Sequence, residues 1–247
     1  MEKSKQLVLY TVFGSIQVAS IVGLNNNKQI FKLKTLVFTD SLTINKDESI
    51  TIIGSQGQIT FWHNLNQWKS FQTLICHNMA PIYSLSLNPS DTLLISCSYD
   101  STINVIRKSD QQWVIIQIIQ VEVHGLSLCF INDDYFVFQP IDLKVQVYQY
   151  QRYEDNFVKV KEIAIQGIEY HLDNSFFQYN AAKDILIKSN AQFLNLISGF
   201  ENVEQLTKSS LFFLGNRISS TFSNNGDYLI VINNFEKKFI IYMLKES

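Results

Sequence analysis

Ile82-Tyr83-Ser84-Leu85-Ser86-Leu87-Asn88-Pro89-Ser90-Asp91, followed by Leu93-Leu94-Ile95-Ser96-Cys97-Ser98-Tyr99-Asp100-Ser101-Thr102-Ile103-Asn104-Val105, decides how this chain folds. It reads as a strand, a polar turn, a second apolar strand, a tight Asp-Ser turn and a third strand of alternating character. The same pattern recurs in both directions along the chain. One period earlier stands Ser41-Leu42-Thr43-Ile44-Asn45-Lys46-Asp47, then Ile50-Thr51-Ile52-Ile53-Gly54-Ser55-Gln56-Gly57-Gln58-Ile59-Thr60-Phe61-Trp62. Later copies run through Leu128-Cys129-Phe130 with Val145-Gln146-Val147-Tyr148, through Phe176–Tyr179 with Phe193–Leu196, and through Ser220–Ile232 with Phe239-Ile240-Ile241-Tyr242.

The apolar residue opening the third strand falls at Ile16, Ile59, Ile103, Val145, Phe193 and Phe239, with spacings of 43, 44, 42, 48 and 46. A period near this length, holding four short strands, is the signature of a radially repeated β architecture. The fourth, outer strand of each unit is predicted at Gln29–Leu33, Phe71–Ile75, Val114–Gln120, Val158–Ile165 and Leu206–Phe213. No helix-period apolar stripe competes over a comparable length. The sequence therefore predicts an all-β fold: a β-propeller of about six four-stranded blades in one domain, 1–247. The approximate units are 6–34, 35–76, 77–120, 121–165, 166–213 and 214–247. Counting gives 22 strands, two short of six full blades, so the terminal blades are incomplete. The ring then closes without those strands, borrows strands from a partner, or belongs to a longer, seven-bladed propeller.

Composition agrees. The chain has 247 residues, 46% hydrophobic and 13% aromatic, which is the content of a folded globule. Twenty basic against 22 acidic residues leave −2, with no global pull toward nucleic acid. Lys159/Lys161 and Lys237-Lys238 are the densest basic groups, too short for a phosphate-tracking stripe. The three cysteines, Cys76, Cys97 and Cys129, have no paired spacing, so neither a disulfide framework nor a metal site is expected. Residues 6–24 carry no charge after a lysine-containing start. A signal peptide or membrane anchor is the counter-reading there, but Gln6, Thr11, Gln17 and Ser20 and the repeat at Gly14–Val18 favour strands. The only Asn-x-Ser/Thr triplet, Asn88-Pro89-Ser90, is blocked by its proline. The expectation is an intracellular, cytoplasmic protein with no membrane contact.

The repeat resembles the WD-repeat (Trp-Asp repeat) family in a degenerate form. Blades of that family carry Gly-His before the first strand, Ser/Thr on the second, Asp in the turn before the third, and Trp-Asp at the end of the third. His77, Ser96 or Ser98, and Asp100 fall at the first three places, with Cys76 for the Gly and Ile106-Arg107 where Trp-Asp would stand. The preceding copy keeps Trp62 but has His63 and, in the turn, Gln56; the following copy has Asp142 in the turn and Tyr148 at the Trp place. The resemblance implies that His77, Ser96, Ser98, Asp100, Asp142 and Trp62 form structural hydrogen-bond networks. A hydrolytic triad of His77, Ser98 and Asp100 would need a nucleophile elbow or oxyanion-hole context, and no Gly-x-Ser-x-Gly occurs. Gly-x-Gly-x-x-Gly is absent too, and only four His exist. No cofactor is expected.

The resemblance implies a non-catalytic platform for other proteins, with partners on the loops before first strands and the turns before third strands. Met79, Pro81, Tyr99, Pro140 and Ile141 occupy such places and carry apolar groups where Ser, Asn or Asp is commoner. Incomplete terminal blades would add a second contact by strand addition. The alternatives are a fragment of a longer propeller protein, a propeller enzyme, or a phosphoinositide binder, although no Arg-Arg pair of the last class is present.

Overall fold

The computed structural model describes residues 7–12, 15–20, 30–33, 39–64, 68–110, 112–168, 177–214, 218–223 and 225–244. Gln6, Gly14, Gln29 and Phe176 lie outside them. Among the described residues are 22 strands, and the one helical element is a 3-10 turn at Val203–Gln205. Strands pair antiparallel with their neighbours in sequence, giving six sheets, four of four strands and two of three.

The first sheet is β1 (Leu7–Val12), β2 (Ser15–Ser20) and β3 (Ile30–Leu33), so the described residues of the uncharged N-terminal stretch, 7–12 and 15–20, form strands. The second is β4 (Ser41–Ile44), β5 (Ile50–Ser55), β6 (Gln58–Asn64) and β7 (Trp68–Ile75). The third is β8 (Ile82–Leu87), β9 (Leu93–Ser98), β10 (Thr102–Ser109) and β11 (Gln112–Gln120). The fourth is β12 (Gly125–Phe130), β13 (Tyr135–Pro140), β14 (Lys144–Gln151) and β15 (Asn156–Ala164). The fifth is β16 (Gln178–Asn180), β17 (Ile185–Asn190), β18 (Phe193–Ser198) and β19 (Thr207–Phe212), and the sixth is β20 (Ile218–Phe222), β21 (Tyr228–Asn233) and β22 (Lys238–Met243). Ile59, Ile103, Val145 and Phe239 are each the second residue of a third strand, Phe193 is the first residue of one, and Ile16 is the second residue of β2.

The repeat extends to irregularities. The third-to-fourth strand ladder slips between Phe61/Trp62, between Val105/Ile106 and between Val147/Tyr148, the same place in three sheets. The first-to-second strand ladder slips at Ile82/Ser84 and again at Gly125/Ser127. Bulges add local twist, and their recurrence is a stronger sign of repeated structure than spacing alone. Turns follow the residues supplied. Gln56 and Gly57 both have positive φ in a two-residue hairpin, the conformation that matches strand twist. The longer Tyr99-Asp100-Ser101 turn puts only Ser101 in the left-handed region, at φ 62.

Burial divides the strands by position. β5 and β9 are buried along their whole length, while outer β7 and β11 have no buried residue beyond Trp68 and Trp113. Strands buried on both faces read as continuous apolar runs, which is why Ile50-Thr51-Ile52-Ile53 lacks polar alternation. The chain divides into two compact units, Met1–Glu122 and Val123–Ser247. In the first, Ile52, Ile59, Phe61, Ile82, Leu94, Ile106 and Trp113 form a core between the second and third sheets. In the second, Val145, Val147, Phe177, Leu186, Ile197 and Phe200 join the fourth and fifth sheets. Leu194, Phe213, Ile218, Leu229 and Val231 join the fifth and sixth.

Candidate functional site

Loop, strand and turn converge at the start of the third sheet. His77 lies in the loop before β8, Ser96 in the middle of β9, Asp100 in the turn and Thr102 and Asn104 on β10. The imidazole is fully enclosed. Its Nδ1 lies 3.1 Å from Asp100 Oδ2 and 2.9 Å from Thr102 Oγ1, and its Nε2 lies 2.9 Å from Ser96 Oγ. Asp100 Oδ1 also accepts from Thr102 N–H at 3.0 Å and from Thr102 Oγ1 at 2.7 Å, and its Oδ2 accepts from Asn78 N–H at 3.2 Å. An Asp two residues ahead of a Thr forms this turn locally, before any tertiary contact.

The network fixes the tautomer of His77. Asn104 Nδ2 donates to Cys76 O at 2.7 Å, which orients its amide, and the same nitrogen sits 3.3 Å from His77 Nε2. Nε2 therefore faces a donor and must accept, so the ring is neutral with its proton on Nδ1, donated to Asp100. Burial pushes the His77 pKa below its ordinary value, against the opposing pull of the Asp100 carboxylate. The Asp100 carboxyl is held below the usual range by its bonds to Thr102 and His77, although burial pulls the other way.

The loop is clamped from a second side. Gly57 O, in the turn of the second sheet, accepts from both Cys76 N–H and His77 N–H at 3.0 Å. A Cβ on Gly57 would lie 1.9 Å from His77 O, and its φ of 78 is also one that side chains avoid. Asp40 completes the join: its Oδ2 accepts from Gln56 N–H at 3.1 Å and from Ile82 N–H at 3.2 Å.

Ser96 is 0% and Ser98 1% exposed, so neither hydroxyl meets a substrate-sized space. Ser98 does not touch His77 in this network; its Oγ accepts from Asp100 N–H at 3.3 Å. Burial pushes the Cys76 thiol up to about 12, leaving no thiolate for chemistry near neutral pH. Among the described residues no three His, Cys, Asp or Glu side chains converge on a metal-sized site.

Trp62 and Asp142 sit in different surroundings. Trp62 is half-buried with Nε1 lacking a hydrogen-bond partner, as does Thr51 Oγ1 on the paired strand. In the second sheet Ile53 and Thr60 take the places of Ser96 and Asn104. Asp142 pairs with Lys144 at 3.7 Å, and burial raises its pKa. Its Oδ1 is buried without a partner.

The exposed loop residues form a smaller set than the sequence predicts. Met79 is 83% exposed and holds a left-handed φ of 52, and Tyr99 is 56% exposed with its ring edge-on to Tyr83 at 6.4 Å. Pro81 is exposed beside them, its carbonyl accepting from Tyr99 N–H at 3.1 Å. Pro140 does not belong with them. It is the last residue of β13, opposite Gly125, and is buried. A strand end needs no ladder donor, so proline fits there and the turn begins one residue later than its sequence suggests. Ile141 is half-buried and donates its N–H to His124 O at 3.0 Å.

Sequence reasoning missed Thr102, Asn104, Asp40 and Gly57. It also missed two asparagines that act like Asn104. Asn195 Nδ2 donates to Gln166 O at 2.9 Å, and Asn233 Nδ2 to Leu214 O at 2.9 Å, each tying the incoming loop to its own sheet. Asparagine on an otherwise apolar buried strand is the signal that was available.

Residues 68–107 match the family model described as WD domain, G-beta repeat. The match runs from β7 through most of β10 and contains the whole polar network. The chain thus carries a WD repeat there, within repeated antiparallel sheets consistent with a WD-repeat propeller having incomplete terminal blades. Proteins of this family are typically non-catalytic and generally mediate protein–protein contacts. A comparison with curated proteins returns no match. No helix among the described residues is long and apolar enough to cross a membrane.

Proposed function

We propose that this chain is a non-catalytic protein-interaction scaffold, one WD-repeat-like domain spanning 1–247 that serves as a subunit or platform of a larger assembly. The observation that carries it is Met79. An exposed methionine in a strained backbone conformation is costly to keep on a solvated loop. Here it is held by the hydrogen bonds around His77 and Gly57, next to exposed Pro81 and Tyr99. Rigid presentation of apolar and aromatic groups lowers the entropy lost on binding. The partner is a protein, with Tyr99 and Met79 as anchors and a second contact by strand addition at the incomplete terminal sheets. The buried hydroxyls and the neutral, enclosed imidazole support a structural role for the polar set. Three cysteines outside any disulfide suit a reducing, intracellular setting.

Affinity purification of the tagged chain under mild conditions tests the reading. A stoichiometric protein partner is expected, lost on Tyr99→Ala with Met79→Ser. Recovery of the chain alone, or associations unchanged by both substitutions, rejects this face as the docking surface.

A further inference from the structure

Charge is segregated along the second and third sheets. The loops and turns at the end that bears Met79 and Tyr99, residues 39–41, 54–58, 75–83, 98–102 and 120–122, contain no Lys or Arg but carry Asp40, Asp100 and Glu122. The cations between residues 39 and 122 are Lys46, Lys69, Arg107 and Lys108, and they all lie at the opposite end of the strands. Asp47, Glu48, Asp91 and Asp110 stand among them and balance their charge. His77 is neutral, as its hydrogen bonds require, and offsets none of the acids. The face is therefore apolar and net negative, which repels polyanions and suits a cationic partner.

The acids flank the aromatic group. Asp40 Oδ2 is taken by the Gln56 and Ile82 N–H groups, while its Oδ1 has no hydrogen-bond partner among the described residues. Tyr83 follows Ile82, and burial first, then Tyr99 and Asp40, raise its phenol above the ordinary value. With an edge-on contact to Tyr83 and just over half its surface exposed, the Tyr99 ring keeps a face open to solvent. On the other side of the turn, Val121 N–H donates to Ser101 O at 3.0 Å, which sets exposed Glu122 beside it. An open aromatic face between two carboxylates matches a guanidinium, which stacks on the ring and donates sideways.

We infer that this face takes a basic segment of the partner protein, with an arginine laid on the Tyr99 ring between Asp40 and Glu122 and an apolar residue against Met79 and Pro81. This rests on the scaffold reading and names the chemistry of its partner. Apolar contact supplies attachment, and the carboxylates select the charge and steer the encounter. A lysine ammonium lacks the planar stack and fits less well.

The probe is a displayed library of random dodecamer peptides, selected against the full chain at physiological salt. Selected peptides should carry arginine near an apolar residue and slow amide exchange in residues 75–83 and 98–102. Replacing that arginine by citrulline, its uncharged isostere, should weaken binding roughly tenfold. Asp40→Asn keeps an acceptor for the Gln56 and Ile82 N–H groups, so the melting temperature should hold while peptide affinity falls about fivefold. Glu122→Lys should act in the same direction, and added salt should weaken binding to the native chain. Acidic or uncharged peptides selected on this face overturn the inference. So do arginine peptides that protect only other segments, and a selection that yields no peptide. Concentration-dependent self-association lost on Tyr99→Ala also overturns it, because the basic end of a second copy is then the occupant. A protein partner lost on Tyr99→Ala with Met79→Ser but indifferent to Asp40→Asn and Glu122→Lys keeps the scaffold reading and removes this one.

Discussion

The second and third sheets are neighbouring copies of one pattern, yet they hold their turns by different means. In the third, a buried His–Ser–Asp–Thr–Asn set ties loop, strand and turn together. In the second, Ile53 and Thr60 stand where that set would need Ser and Asn, and the turn is a two-residue Gln-Gly hairpin gripped by Asp40. Both have a third strand with a bulge at the same place and a buried aromatic at the head of the outer strand. Apolar burial and ladder geometry are thus what the copies share, and the polar network is an addition to one of them. That addition coincides with the exposed loop bearing Met79.

If this ranking is right, the largest effect comes from the shared core. Phe61 is fully buried and stacks on Trp113 at 5.2 Å, joining the second and third sheets. Phe61→Ala should cost roughly 3–5 kcal/mol in urea unfolding, through lost transfer energy and a cavity. A loss below that of Asp100→Ala would reverse the ranking.

Asp100→Ala comes next. It strands the Thr102, Asn78 and His77 donors, at about 1–3 kcal/mol. An unchanged melting temperature would show that the network contributes nothing.

The pH dependence should be smaller and confined to the third sheet. The folded His77 pKa lies below the ordinary 6.5, so the unfolded chain takes up the proton first. Stability should therefore fall as pH drops below 6.5, through the folded value, and be flat above it. His124 is pushed the same way by burial, so the difference between the native chain and His77→Gln isolates the effect. An identical slope in both proteins would contradict it.

The smallest effect belongs to the second sheet's turn. Gln56 occupies the place of Asp100 with an exposed side chain, and only its backbone N–H is used. Gln56→Gly keeps that donor and tolerates the positive φ, and should shift stability by less than about 0.5 kcal/mol. A loss comparable to that of Asp100→Ala would make the two turns equivalent and remove the contrast.

Much of this was legible in the sequence because β burial leaves a periodic trace. The opening residues of the third strands in the second to sixth sheets and of β2, and the outer strands within a few positions, follow from spacing and apolar alternation alone. Side-chain pairing was harder. Ser96 and Ser98 are two residues apart on one strand and point to the same face, so only their distance to His77 separates them. Thr102 and Asn104 carry no motif in isolation; their roles depend on a loop arriving from 25 residues away. Pro140 was misplaced because proline marks turns and strand ends alike, and burial alone distinguishes the two. The three-residue β16 is too short to leave a clear alternation.

The polar set in the third sheet is, on this account, a latch and not a catalytic triad. Nitrogen-15 NMR of His77 tests that most directly. A neutral ring with its proton fixed on Nδ1 at neutral pH, staying neutral as the solution passes below 6.5, is the predicted result. Interchanging tautomers, or a titration at the ordinary histidine value, would show a solvent-accessible imidazole and contradict the account.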